Sequence, residues 1–146
     1  DVQVIWQTGR YYHEEALKHL KAYRGMPVWC SDFITRMDYA YAAADLIISR
    51  AGASSISELC LLKKPVILVP SPNVAEDHQT KNALALVNKE AAIMVADKDA
   101  EQQLVPKALE IIHDDERLRT LSRNIATLAH HESAERIVDE IVRIIE

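Results

Sequence analysis

The residues with the clearest chemical potential lie at positions 50–55, RAGASS, in a turn between a predicted strand and a predicted helix. Gly52 permits a backbone conformation closed to most residues, and the hydroxyls of Ser54 and Ser55 can cap the helix. A helix N-terminus presents unpaired N–H groups and the positive end of the helix dipole, and both attract anions. The turn therefore predicts an anion site, typically for a phosphate.

A second polar segment follows the next predicted strand. It contains His78 beside Asp77, Gln79 and Asn82, which all hydrogen-bond hydroxyl groups. A helix that simply begins with polar residues explains the same composition. On the residues alone, a ligand loop and a polar helix start remain open.

Several other chemistries are excluded by their missing signatures. The sequence has no Walker loop, no GxGxxG, no HExxH, no paired CxxC and no GxSxG nucleophile elbow. His130 and His131 are adjacent on a predicted amphipathic helix, where neighbouring residues do not share a face. We expect no metal site and no tightly bound cofactor.

Composition narrows the class of protein. The chain has 146 residues, 49% of them apolar, which is enough for one domain with a full core. A net charge of −5 and a pI near 5.7 argue against a nucleic-acid partner.

Cys30 and Cys60 are interpreted as buried thiols of a reducing compartment, and no apolar run approaches the ~20 residues that span a bilayer. We expect a cytoplasmic protein, and the missing initiator Met suggests a piece of a longer one.

These polar segments must be positioned by alternating strands and helices. Uninterrupted apolar runs favour parallel strands covered on both faces, and we predict them at 2–7, 28–30, 46–49, 66–69 and 93–95. The helices between them include one over 34–44, and three helices after residue 102 are predicted to pack on the sheet. The fold class is therefore α/β, a Rossmann-like doubly wound parallel sheet. Its ligand loops, beyond the carboxyl ends of the strands, are 8–10, 50–55 and 71–82.

The order and spacing of several motifs carry a family resemblance. They are WQTG (6–9), DFITRM (32–37), RAGASSISE (50–58), EDHQTKNA (76–83) and AERIVDEI (134–141). Together they resemble the donor-sugar half of the UDP-N-acetylglucosamine transferases that convert lipid I to lipid II in peptidoglycan synthesis. The resemblance implies a GT-B glycosyltransferase, with residues 1–146 as the single nucleotide-sugar-binding domain of its C-terminal half.

The resemblance also implies which residues hold UDP-N-acetylglucosamine. The backbone of Ile34, after Phe33, would contact the uracil, and Glu58 would bind the ribose hydroxyls. The turn N–H groups of Ala53, Ser54 and Ser55 would bind the diphosphate and sugar. His78, Gln79 and Asn82 of the polar segment would contact the sugar and ribose side. For Glu58 an alternative stays open, because Ser55 and Glu58 have the S-x-x-E spacing of a capping box.

The reaction implied is transfer of N-acetylglucosamine to lipid I with inversion at the anomeric carbon. No catalytic residue is assigned to this chain, since the general base, the lipid I site and most of the membrane contact belong to the N-terminal domain in the family. We expect the full-length hexosyltransferase to be peripheral on the cytoplasmic face of the membrane and this chain alone to be inactive. The family's first strand and glycine-rich loop of this domain do not occur before Asp1.

Two alternatives remain. The chain could belong to another glycolipid glycosyltransferase, or it could be a nucleotide-sugar-binding subunit that is not catalytic by itself.

Overall fold

The computed structural model describes residues 2–23, 25, 27–73 and 77–145. The chain divides into two compact units, Asp1–Ala43 and Ala44–Glu146. Within the described residues, no helix has both the length and the apolar composition needed to cross a membrane.

The first unit is a small parallel pair of strands with two helices. Its elements are β1 (Val4–Gln7), α1 (Gly9–Ala22), β2 (Val28–Ser31) and α2 (Met37–Ala43). Val4 lies opposite Val28, and the parallel register runs to Gln7 opposite Ser31. Ala16 of α1 is buried, whereas every residue of β1 is exposed.

The second unit contains a three-stranded parallel sheet in the order β3-β4-β5. Its elements are β3 (Ile47–Ser49), α3 (Ala53–Leu62), β4 (Val66–Leu68), α4 (His78–Val87), β5 (Ile93–Met94), α5 (Ala100–Ile112), α6 (Asp115–Ala126) and α7 (Ser133–Ile145), with a 3-10 turn at Asp97–Asp99. Ile47 pairs with Val66, and Ile67 with Ile93. The carboxyl ends of all three strands therefore lie at one edge of the sheet.

The core of this unit is built around the central strand. Val66, Ile67 and Leu68 are fully buried, because β4 is paired on both sides. Ile111 of α5 and Leu121 of α6 pack against Ile67. Burial of each such side chain contributes about 1.5–3 kcal/mol, so the position of β4 is strongly determined.

All five predicted strands are present at the predicted places, and their parallel direction is confirmed. Within the described residues they form sheets of two and three strands, whereas we predicted one sheet of five. An apolar run fixes where a strand forms but not which strand lies beside it. Cys30 and Cys60 are both free thiols, and the predicted burial is confirmed for Cys60 but wrong for Cys30, which is only half-buried.

The helices required more correction. The predicted helix over 34–44 begins only at Met37, so Ile34 lies in the preceding turn. α5 and α6 pack on the core as predicted, but the packing prediction is wrong for α7 within the described residues. Ile137 and Ile144 of α7 are 62% and 81% exposed. An amphipathic pattern predicts a helix with one apolar face, and it does not supply the surface that covers this face.

Candidate functional site

The predicted anion site is a helix N-terminus at the carboxyl end of β3. β3 ends at Ser49, and α3 begins at Ala53 after a turn of three residues. The first helical bond runs from the Ile56 N–H to the Gly52 carbonyl, at 3.0 Å. The N–H groups of Ala53, Ser54 and Ser55 precede that bond in the first turn, where an α-helix offers no intrahelical acceptor. The backbone therefore presents three donors and the positive end of the helix dipole.

The structure corrects how this turn is made. Gly52 is the N-cap residue with φ −67° and ψ 146°, an extended conformation that any residue adopts. A Cβ at this position would meet Ser55 Oγ at 3.8 Å, which is ordinary contact. The expected conformational role of Gly52 is therefore wrong, as is capping by Ser54 or Ser55, because α3 has no side-chain cap.

The capping-box alternative for Glu58 fails for the same reason. Ser55 lies inside the first turn of α3, two residues after its start at Ala53, and not at the N-cap. A capping box requires its glutamate three residues after the N-cap, and Glu58 is six residues after Gly52. Glu58 is exposed on the second turn of α3, outside the position that a capping box requires.

Side chains of α4 hydrogen-bond to the backbone of the turn between β3 and α3. Gln79 Oε1 accepts hydrogen bonds from the N–H groups of Ala51, at 3.1 Å, and Ser71, at 2.9 Å. Asn82 Nδ2 donates to the Ala51 carbonyl, at 3.1 Å. Ala51 is completely buried, so α4 satisfies both of its backbone polar groups. These bonds connect the turn after β3 with the loop after β4.

Arg50 forms a second connection at the same edge of the sheet. Its Nη1 donates to the Val69 carbonyl at 3.2 Å and forms a short ion pair with Asp97. Val69 follows β4, and Asp97 follows β5. Arg50 therefore connects the segments that follow β3, β4 and β5. These contacts hold the backbone that precedes the α3 N-terminus.

The polar segment lies mostly on a helix. α4 begins at His78, so His78, Gln79 and Asn82 belong to its first two turns rather than to a loop. Glu76 of the sequence motif, and residues 74–75 of the predicted loop 71–82, lie outside the described residues. His78 is exposed, whereas Gln79 and Asn82 are half-buried. Asp77, the N-cap, has φ 54°, a left-handed conformation that aspartate tolerates better than most residues.

Ile34 lies in the first unit, in the turn between β2 and α2. Its N–H donates to Gln7 Oε1 at 2.8 Å. A ligand that binds this backbone through the N–H must displace the Gln7 side chain. A ligand that binds through the Ile34 carbonyl need not displace the Gln7 side chain.

Sequence reasoning missed the residues that build the turn without facing a ligand. Arg50 and Asp97 follow the first and third strands of the β3-β4-β5 sheet, and knowledge of the strand order would have placed them at one edge. Gln7 carried no signal, because its partner is a backbone N–H that is 27 residues away. Within the described residues, no group of three or more His, Cys, Asp or Glu side chains can hold a metal ion.

A parallel sheet whose strands lead into a rigid helix N-terminus defines a class, the α/β domains that bind phosphate-bearing ligands beyond the carboxyl ends of their strands. The model of the glycosyltransferase family 28 C-terminal domain matches residues 1–137. The chain belongs to this family.

Curated relatives and a crystal structure agree with the assignment. A relative from Parabacteroides distasonis is 83% identical over all 146 residues, and one from Porphyromonas gingivalis is 59% identical over 145 residues. Both are named UDP-N-acetylglucosamine--N-acetylmuramyl-(pentapeptide) pyrophosphoryl-undecaprenol N-acetylglucosamine transferase, and the chain spans 40% and 38% of their lengths. The crystal structure of Acinetobacter baumannii MurG matches with a TM-score of 0.85 at 25% identity, over 97% of this chain and 43% of that one.

Proposed function

We propose that this chain is the UDP-N-acetylglucosamine-binding domain of an inverting glycosyltransferase that adds N-acetylglucosamine to lipid I in peptidoglycan synthesis. The observation that carries the proposal is the α3 N-terminus, held by Arg50, Gln79 and Asn82 at the carboxyl edge of the sheet. A diphosphate needs a fixed set of donors, and this turn provides them without a metal ion. The name of the relative that is 83% identical supports the choice of substrate.

In this proposal the N–H groups of Ala53, Ser54 and Ser55 bind the diphosphate and the sugar. Glu58, on the next turn of α3, accepts hydrogen bonds from the two ribose hydroxyls. The position of Glu58 does not fit a capping box, so the ribose role that the family resemblance implies is the one proposed for it.

The polar residues of α4 contribute unequally to the same ligand. His78 is exposed, and in this proposal it contacts the sugar side of the ligand. Gln79 uses its oxygen on Ala51 and Ser71, so its amide NH₂ is the group that remains for a sugar hydroxyl. Asn82 uses its NH₂ on Ala51, which leaves its oxygen as an acceptor. The two amides therefore offer the ligand one donor and one acceptor of known orientation.

The uracil contact at Ile34 is a separate proposal. It rests on the family resemblance of the segment 32–37. Replacement of the Gln7 side chain by alanine should free the Ile34 N–H and leave uridine binding intact or stronger. Weaker uridine binding by Gln7→Ala would argue against this role of Ile34.

The chemical step follows from these assignments. The acceptor hydroxyl oxygen of lipid I forms a bond to the anomeric carbon, and the bond from that carbon to the diphosphate oxygen breaks. The electron pair of the broken bond leaves with UDP, and the acceptor proton passes to a general base outside this chain. The α3 N-terminus stabilises the charge that develops on the leaving diphosphate.

The remaining parts of the enzyme are also proposals. We place lipid I binding and membrane contact in an N-terminal domain, and the whole enzyme on the cytoplasmic face of the membrane. We further propose that an additional strand of the same domain pairs with β1 or β3. Both are edge strands within the described residues, and Ile5 and Ile48 are 45% and 48% exposed. An edge strand presents unpaired backbone N–H and C=O groups, to which a further strand can bind.

The test is a titration of the chain with UDP-N-acetylglucosamine, UDP-N-acetylgalactosamine, UDP and UMP, monitored by amide NMR. We expect the amides of Ala53, Ser54 and Ser55 to shift with each diphosphate ligand and less with UMP. Glu58→Gln should weaken binding, whereas the control Glu116→Gln, an equal charge change on the exposed first turn of α6, should not.

Two results would contradict the proposal. Amides of the α3 N-terminus that stay unshifted at saturating UDP would remove the site, and equal binding by both glutamine variants would remove Glu58 from it. A preference for a different nucleotide sugar would favour another glycolipid glycosyltransferase. Sugar transfer to lipid I by residues 1–146 alone would overturn the assignment of the base and the acceptor site elsewhere.

A further inference from the structure

A second polar cleft lies at the opposite end of the strands. It has a volume of about 470 Å³ and is lined by the residues that precede β3 and β4 and by one face of α6. Asp45 precedes β3, and Pro65 directly precedes β4. The strands run parallel, so this cleft is at their amino ends, whereas the α3 N-terminus is at their carboxyl ends.

The lining is strongly basic for a chain with a net charge of −5. Lys63, Lys64, Arg119 and Arg123 line the cleft, and Asp45 is the single carboxylate among the lining residues. Within the described part of the chain, no carboxylate lies within ion-pair distance of Lys63, Arg119 or Arg123.

Helix electrostatics explain three of the four cations, and Arg119 is the exception. Lys63 is the C-cap of α3 and Lys64 follows it, so both cations complement the negative end of that helix dipole. Arg119 and Arg123 lie four residues apart within α6, where two like charges on one face destabilise a helix. Asp115 and Glu116, in the first turn of α6, do not line the cleft. Arg123, in the last turn of α6, complements the negative end of that helix dipole, whereas Arg119 lies one turn earlier and gains nothing evident from the dipole or from Arg123.

The walls of the cleft are fixed by hydrogen bonds. Ser122 Oγ donates to the Lys63 carbonyl at 2.5 Å, which joins the end of α3 to α6. Lys63 has φ 56°, so its side chain leaves a left-handed C-cap. Lys64 Nζ donates to the Ala44 carbonyl at 2.7 Å. Pro65 is buried and Leu118 packs against the core, so two of the residues that line the cleft are apolar and anchored in the core.

We propose that this cleft binds a phosphate-bearing ligand. Two guanidinium groups that lie four residues apart on one helix can each donate a fork of N–H groups to phosphate oxygens, and Lys63, at the end of α3, adds a third positive charge. The ligand can be a free phosphate or diphosphate compound, or the headgroup of an anionic lipid, because all present the same phosphate oxygens.

The test compares two double variants with equal charge change. Arg119→Gln/Arg123→Gln removes the cleft arginines, and Arg136→Gln/Arg143→Gln removes two exposed arginines from α7. Each protein is titrated with inorganic phosphate and with pyrophosphate under amide NMR. Each is also sedimented with vesicles of phosphatidylcholine containing 30% phosphatidylglycerol and with vesicles of phosphatidylcholine alone.

We expect the amides of Lys63 and Ser122 to shift with phosphate, and the cleft variant to bind at least about tenfold more weakly, since each lost charge-assisted contact costs that order of affinity. The α7 variant should bind as the unchanged protein does. Binding of pyrophosphate and of anionic vesicles identifies a general phosphate site, and binding of anionic vesicles alone identifies a lipid headgroup.

Equal loss in both variants, or no binding of either phosphate or anionic vesicles, would overturn the proposal. If the glutamine variant is unfolded by circular dichroism, Arg119→Lys/Arg123→Lys replaces it. This variant keeps the charge and loses the guanidinium fork, so it should still bind more weakly than the unchanged protein. Unchanged affinity in the lysine variant would likewise refute bidentate binding.

Discussion

Gln79 gives the sharpest test of how the site is held. Its Oε1 accepts two N–H groups, from buried Ala51 and from half-buried Ser71. Replacement by leucine removes both bonds and leaves the Ala51 N–H unsatisfied in the core. The loss at Ala51 costs about 1–3 kcal/mol and the loss at Ser71 about 0.5–1.5 kcal/mol, because water can replace the second acceptor more readily.

We therefore expect Gln79→Leu to lower the free energy of unfolding by about 2–4 kcal/mol, which in a chain of this size lowers Tm by on the order of 10 °C. Gln79→Glu is the matched control. Its carboxylate keeps an oxygen for both N–H groups, so Tm should fall little. It replaces the free NH₂ with a negative oxygen near the proposed diphosphate site, so affinity for UDP-N-acetylglucosamine should still fall.

The two variants separate the structural role from the ligand role. Thermal unfolding by circular dichroism measures the first, and isothermal titration with UDP-N-acetylglucosamine measures the second. If Gln79→Glu is as unstable as Gln79→Leu, the acceptor argument is wrong. If Gln79→Leu unfolds within a degree of the unchanged protein, the two bonds do not hold the turn.

Three further predictions concern single residues. Glu58→Gln should weaken UDP binding by about 1.5–3 kcal/mol, or about 10- to 100-fold, at unchanged Tm. Competition by 2′-deoxy-UDP measures how much of this loss comes from the ribose contact. A drop of several degrees in Tm with intact affinity would contradict the proposed role. Gly52→Ala should change the free energy of unfolding by less than about 0.5 kcal/mol in denaturant titration, since the poorer N-cap offsets the lower entropy of the unfolded chain; a large loss would show that the turn needs glycine. Burial raises the pKa of the Cys60 thiol, so at pH 8 alkylation followed by mass spectrometry should label half-buried Cys30 first, and the reverse order would refute this.

The strands could be predicted because short uninterrupted apolar runs such as Val66–Leu68 are typical of parallel strands that are covered on both faces of a buried sheet. The helix after β3 and its anion-binding end followed from the position of the turn 50–55 between two such runs. The exact helix start did not follow, because Gly52, Ser54 and Ser55 all favour an N-cap and only the closing bond from Ile56 to Gly52 decides among them. Because the N-cap is Gly52 and not Ser55, the capping-box interpretation of Glu58 is wrong.

The sequence by itself determined the α/β class, the parallel direction of the strands and the helix N-terminus that carries the proposed site, because each depends on local pattern and on the properties of neighbouring residues. Only the tertiary structure decided that Gln79 and Asn82 hold Ala51, that Arg50 reaches Asp97, and that four cations meet at the amino ends of β3 and β4. The hydrogen-bonded pairs among them are separated by 28 to 47 residues. Their contact depends on strand order, which no local pattern encodes.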